Sequence, residues 1–144
     1  MQEKINIPLT KKTQISKARY PTTDDKELAI RIAHCAQEKK GEKIVILDLR
    51  KIGGFCDFFV IVSANSTRQI NAIAEAIQEK LITEHRKPLV PPQPNDESGW
   101  VVLDYASVVV HIFTKQMRQF YALEHLWSDA RRIRIPKSLS SSKS

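Results

Sequence analysis

The sequence predicts an α/β fold, a mixed β-sheet flanked by helices, and three observations predict it. Helix-period apolar stripes and short β-branched runs alternate through residues 24–130. One of those runs, Phe58–Ser63, is apolar up to its final serine, as strands buried on both faces are. Two more, Trp100–Tyr105 and Ser107–Phe113, are parted only by Ala106 and so imply a hairpin.

The elements follow in order. Residues 1–23 hold Pro8 and Pro21 without sustained periodicity and read as an extended or disordered arm. Asp24 and Asp25 place carboxylates at a helix start, where the macrodipole favours them. Leu28, Ile32 and Cys35 then draw one stripe along about four turns, with His34 beside it. Lys39 and Lys40 suit the C-terminal end, and Gly41 offers the left-handed residue that closes it. Strand signals follow at Lys43–Leu49 and Phe58–Ser63, joined through Gly53 and Gly54. Ser66-Thr67-Arg68-Gln69 reads as a capping box, opening a helix with Ile70, Ile73, Ile77 and Leu81 on one face. Residues 88–99 are a polar, proline-rich loop with at most a short edge strand around Leu89. Lys115–Ala130 completes the domain as one helix, with Phe120, Leu123 and Trp127 at helical spacing. The serine-rich end, part of a basic tail at 131–144, is too polar to pack.

Composition narrows the function. The chain has 144 residues and a formal net charge of +7. Five cations against Glu3 give residues 1–23 a net of +4, and five cations without an acid give residues 131–144 a net of +5. The stretch between carries 13 basic and 15 acidic residues, a net of −2. Basic tails on a near-neutral domain suit either a phosphate-rich partner such as RNA or plain solubility. No run reaches the roughly 20 apolar residues that span a bilayer, so no membrane is expected. The N-terminal arm has a single arginine, which makes an organellar transit peptide the lesser alternative to a cytoplasmic location. Cys35 and Cys56 sit among apolar neighbours and read as reduced core thiols.

No catalytic constellation emerges. The four glycines form neither GxGxxG nor GxxxxGK[ST]. His34, Cys35, Cys56, Asp57 and His111 lack the spacing of a zinc site, so no metal or other cofactor is expected. Asp57 next to Cys56 would raise a thiol pKa, and neither Ser63 nor Ser66 lies in a G-x-S-x-G turn. His111 reads as a satisfied histidine at the edge of a core. Asp48, Asp57 and Asp104 fall on strand ends, where a metal-binding pair and a turn cap are both open readings. Large aromatics stand out instead. Trp100 opens a strand after a polar loop, so its indole is expected to stay partly exposed. Tyr105 sits at the hairpin bend, while Tyr121, Leu126 and Trp127 load the last helix with bulk typical of protein–protein anchors.

Three ordered stretches then resemble a known family. They are Asp57-Phe58-Phe59-Val60-Ile61-Val62-Ser63 with Asn65-Ser66 and Gln69-Ile70; Gly99-Trp100-Val101-Val102-Leu103-Asp104-Tyr105 with Val108–Phe113; and Phe120-Tyr121, Leu123-Glu124 and Leu126-Trp127. Together they resemble the ribosomal silencing factors, the RsfS or Iojap-like proteins. Ala64 and Ala106-Ser107 depart from the family's usual turn residues. The resemblance implies a nucleotidyltransferase-like topology without its active site and a homodimer in isolation. It also implies a translation repressor that acts under nutrient limitation. Such a protein binds the large ribosomal subunit through large-subunit ribosomal protein fourteen and blocks subunit association, with no small-molecule substrate. The partner-binding residues expected from the second and third stretches are Trp100, Asp104, Tyr105, Tyr121, Leu126 and Trp127. The rivals are a nucleotidyltransferase-type enzyme using Asp57 and Asp104, and an RNA-binding module whose basic tails touch rRNA.

Overall fold

The computed structural model describes residues 25–52 and 56–137. The expected N-terminal arm, the Gly53-Gly54 connection and the serine-rich end lie outside those residues. Helix α1 (Asp25–Glu38) leads into strands β1 (Glu42–Asp48) and β2 (Phe58–Ala64). Helix α2 (Thr67–Ile82) follows, then β3 (Trp100–Asp104) and β4 (Val108–Thr114). Two short helices, α3 (Lys115–Tyr121) and α4 (Leu123–Leu126), precede β5 (Arg131–Ile133).

The five strands form one mixed sheet in the order β3-β4-β2-β1-β5. Only β2 and β4 run parallel, with Phe58 beside Val108 and Ala64 beside Thr114. All seven residues of β2 are buried, as its unbroken apolar run requires of a strand packed on both faces. β1 is buried only at Ile46 and Leu47, so the full burial of β2 extends to part of its neighbour's length.

Helices α1 and α2 lie on one face. Leu28 and Ile32 of α1 meet Ile70, Ile73, Ile77 and Leu81 of α2 over Val60, Val62, Val110 and Ile112 of the sheet. Gln69 locks the start of α2 to the end of α1. Its backbone N–H donates to Ser66 Oγ at 3.1 Å, while its Oε1 accepts from the Asn65 N–H at 2.7 Å. The capping box therefore closes one residue earlier than its usual reciprocal bond. Gln69 Nε2 also donates to the Lys39 and Lys40 carbonyls at 3.1 and 3.0 Å.

The end of α1 departs from expectation in an informative way. Lys40, not Gly41, takes the left-handed conformation, with φ 67°. The Gly41 N–H donates to the Ala36 carbonyl at 2.8 Å and the Lys40 N–H to Gln37 at 2.9 Å, which is a Schellman closure. Gly41 is needed for space: a Cβ there would lie 2.7 Å from Val62 Cγ1 and 3.0 Å from the Ala36 oxygen.

The C-terminal region differs most. The single helix expected over Lys115–Ala130 breaks at Ala122, which adopts φ 51° and ψ 48° and ends α3. Helical spacing of Phe120, Leu123 and Trp127 thus does not survive the break. Arg131–Ile133 do not belong to a flexible tail; they pair antiparallel with Ile46–Asp48 of β1. Leu89 makes one sheet-like bond, donating its N–H to the Asp104 carbonyl at 2.8 Å, without forming a strand.

Adjacent substitutions at the end of α1 should therefore have opposite signs. Lys40→Gly removes left-handed strain at an exposed position and is expected to stabilise by about 0.5–1 kcal/mol. Gly41→Ala forces Val62 or the Ala36 carbonyl to move and is expected to destabilise by about 1–3 kcal/mol. Urea midpoints of the two variants measure both.

Candidate functional site

The second face of the sheet holds three of the six expected contact residues, Trp100, Tyr121 and Trp127. Leu47, Phe59, Ile61, Trp100, Val109 and Phe113 point to this side and form a core separate from the helix-covered one. Thr114 ends β4 and starts α3 by accepting the Met117 N–H on its hydroxyl at 3.3 Å. Gly99, with φ 88°, lets α3 approach, because a Cβ there would come within 2.9 Å of Met117 Cγ.

Arg118 fastens this short cover to the sheet. It is 8% exposed, and its Nε and Nη2 donate to both oxygens of Glu124 at 2.9 and 2.8 Å. Its Nη1 donates to Ser63 Oγ of β2 at 2.8 Å. The fork binds the carboxylate in the two-pronged geometry that makes Arg–carboxylate pairs strong. The guanidinium holds the Glu124 carboxyl below the usual carboxylate range, with help from Arg132.

An aromatic stack fills the space between sheet and cover. The buried Trp100 indole N–H donates to His111 Nδ1 at 3.1 Å, so that nitrogen carries no proton. His111 is buried, as a core histidine should be, and stands edge-on to Phe59 with ring centroids 4.5 Å apart. Trp100 stacks on Phe113 at 5.0 Å and carries Tyr121 at 4.5 Å on its other contacts. Phe120 follows Tyr121 edge-on at 5.0 Å and is 65% exposed. Beside this stack, between β1, β5 and the α3–α4 turn, runs a groove of about 920 Å³ lined by Lys43, Lys115, Arg132 and Trp127 among others.

Of the six expected contact residues, Trp100, Tyr121 and Trp127 share this face. Tyr121, Leu126 and Trp127 are half-buried. Trp100 is only 2% exposed, which corrects the expectation of a partly exposed indole: α3 folds back over the strand start and covers it. Tyr105 points to the helix-covered core instead, also 2% exposed, and burial pushes its phenol well above its usual pKa. Asp104 caps the hairpin, its Oδ1 accepting the Ala106 N–H at 2.8 Å, which lets Ala106 hold φ 72°. Phe120 and Tyr121 also exchange the roles that one continuous helix would give them, since Phe120 is the more exposed of the two.

The remaining chemical candidates are placed as follows. Asp48 accepts from Arg50 Nε and Nη2 at 3.0 and 2.8 Å, and that guanidinium holds its carboxyl below the usual range. Asp57 is buried, and its backbone carbonyl takes the Leu49 N–H. Among the described residues, no group of three or more His, Cys, Asp or Glu side chains is placed to hold a metal ion. Cys56 is buried, whereas Cys35 is only half-buried, so just one of the two thiols is a full core residue. Arg118 itself has no sequence signature, since it is one of 23 basic residues and its partners lie 6 and 55 positions away.

A family model described as "Ribosomal silencing factor during starvation" matches residues 22–144. A Bacillus subtilis protein named ribosomal silencing factor RsfS is 39% identical over 103 residues, 72% of this chain and 86% of that protein. Its Halalkalibacterium halodurans counterpart is 33% identical over 116 residues, 81% of this chain and 98% of that protein. The fold matches a crystal structure from Chromobacterium violaceum with a TM-score of 0.67 at 24% identity, covering 83% of this chain and 98% of that one.

The clamp makes two measurable demands. Arg118→Met strands the Glu124 carboxylate and the Ser63 hydroxyl. It is expected to destabilise by about 2–3 kcal/mol, less than a fully buried pair because Glu124 keeps some solvent. Because the folded Glu124 pKa is depressed, its contribution is present above the unfolded value and is lost as pH falls below roughly 4.3. Stability followed by tryptophan fluorescence should therefore fall with pH below roughly 4.3 in wild type by an amount that Glu124→Gln, which has no carboxylate to protonate there, does not show.

Proposed function

The chain belongs to the ribosomal silencing factor family, and from that membership we propose that it binds the large ribosomal subunit and sterically blocks subunit association. It acts by occupancy rather than catalysis, and represses translation when nutrients are limited. Its partner is large-subunit ribosomal protein fourteen, contacted in the cytoplasm or, as the lesser alternative, inside an organelle. Free of the ribosome, it pairs with a second copy of itself.

The observation that carries this reading is Phe120. A 65% exposed phenylalanine beside a half-buried tyrosine is the aromatic surface that protein–protein anchors use. It lies in the third stretch of family resemblance, on a segment clamped rigidly by Arg118. Tyr121, Leu126 and Trp127 extend the contact along that segment. Trp100 supports Tyr121 from beneath, and Asp104 and Tyr105 serve the contact only by holding the hairpin and its core.

Purified protein added to separated subunits is expected to shift sucrose-gradient profiles away from joined ribosomes. Unchanged joining at a large molar excess defeats the mechanism. Phe120→Ala should weaken ribosome binding by about thirtyfold, an anchor loss of ~2 kcal/mol, while moving stability by less than about 0.5 kcal/mol. Trp100→Ala should instead lower folding stability by about 3–5 kcal/mol, since it empties a buried site. Titration with ATP and magnesium is expected to give no saturable heat; measurable binding would restore the enzyme reading.

A further inference from the structure

Of the four residues proposed for the protein–protein contact, the basic groove beside the aromatic patch is lined by Trp127 alone; Phe120, Tyr121 and Leu126 lie outside it. Its volume of about 920 Å³ lies toward the upper end of the ~300–1,000 Å³ that ligand clefts occupy. Its lining includes Lys43, Lys115, Arg118 and Arg132 against one carboxylate, Glu124. Arg118 is committed to Glu124 and Ser63. Lys115 pairs with Glu42 at 2.9 Å, but both side chains are well exposed and water weakens such a pair. Arg132 reaches Glu124 only at 3.6 Å, and Lys43 makes no ion pair among the described residues.

Lys43 is placed there by an irregularity of the backbone. The register of β1 on β2 shifts between Glu42 and Val45, and Lys43 sits within that shift at φ 50°. A bulge re-aims the side chain it carries, and here it delivers a lysine into the groove. The apolar part of the lining includes Val45, Leu47 and the half-buried Trp127. The bonded Arg118 does most to hold the Glu124 carboxyl low, and Arg132 and Lys43 add smaller contributions from across the groove.

We infer that the groove takes a segment of single-stranded RNA, with phosphates on Lys43, Lys115 and Arg132 and a base against Trp127. Several cations in one groove with an indole are the pairing that single-stranded nucleic acid uses, backbone on charge and base on ring. An acidic peptide would satisfy the cations but leave the indole without a flat partner. The RNA would be ribosomal, so its identity rests on the proposed ribosome binding, whereas the groove's chemistry does not.

The test uses the full chain and a fluorescein-labelled octauridylate, followed by anisotropy across a salt series. The groove pair Lys43→Gln/Arg132→Gln is compared with Lys26→Gln/Lys80→Gln, an equal charge change on exposed positions of α1 and α2. Losing two phosphate contacts should weaken binding roughly tenfold at low salt and flatten the slope of log K against log salt by about 1.4. The control pair should keep the wild-type slope. Ultraviolet crosslinking of wild type, mapped by mass spectrometry, should mark residues 43–47 or Trp127 and does not depend on any variant folding. Equal losses in both pairs, or crosslinks confined to the terminal segments, would overturn the inference. So would displacement of the RNA by octaglutamate at equal concentration, which would make the occupant an acidic protein segment. The readout is on naked RNA, so its failure leaves the subunit-joining result untouched, and the converse also holds.

Discussion

Arg118 bears the constraint on which the second half of this molecule depends. The central sheet is apolar on both faces, so both must be covered. One face receives helices of 14 and 16 residues. The other receives segments of seven and four residues, far below the ~12–15 at which an isolated helix begins to hold in water. Such a cover persists only if tertiary contacts fasten it. The guanidinium does this in one stroke, joining Ser63 on β2 to Glu124 across the Ala122 break.

That clamp also explains how a surface for binding can coexist with a packed core. Trp100, His111 and Phe113 form a buried floor through a shared hydrogen bond and ring contacts, leaving Tyr121 to rest on it. Phe120 is then forced outward, because its neighbour occupies the inward position. The exposed aromatic and the lining of the basic groove both draw on the same clamped segment. A partner protein and a nucleic acid would thus meet a single rigid element rather than two independent loops.

Membership of the ribosomal silencing factors agrees with a chain whose chemically suggestive residues turn out to be engaged structurally. Asp48 is tied to Arg50, Asp104 caps a turn, and His111 accepts a bond from a tryptophan. Among the described residues, the exposed Phe120 and the basic groove stand available at the surface.

The sequence by itself determined the layer that faces the long helices. The spacing of Ile70, Ile73, Ile77 and Leu81, the Ser66–Gln69 cap and the apolar run of β2 are local signals, and local periodicity suffices where burial is uniform along an element. The same holds for the hairpin at Ala106. Tertiary structure alone decided the rest. It covered Trp100, which begins a strand but lies under α3, and it turned Tyr105 to the opposite core. It broke the last helix at Ala122 and drew Arg131–Ile133 into the sheet, because β1 had an open edge that three extended residues could fill. It aimed Lys43 through a strand bulge and joined Arg118 to residues far along the chain. Each of these depends on which surfaces remain uncovered once the strands have paired, and no short-range pattern in the chain records that.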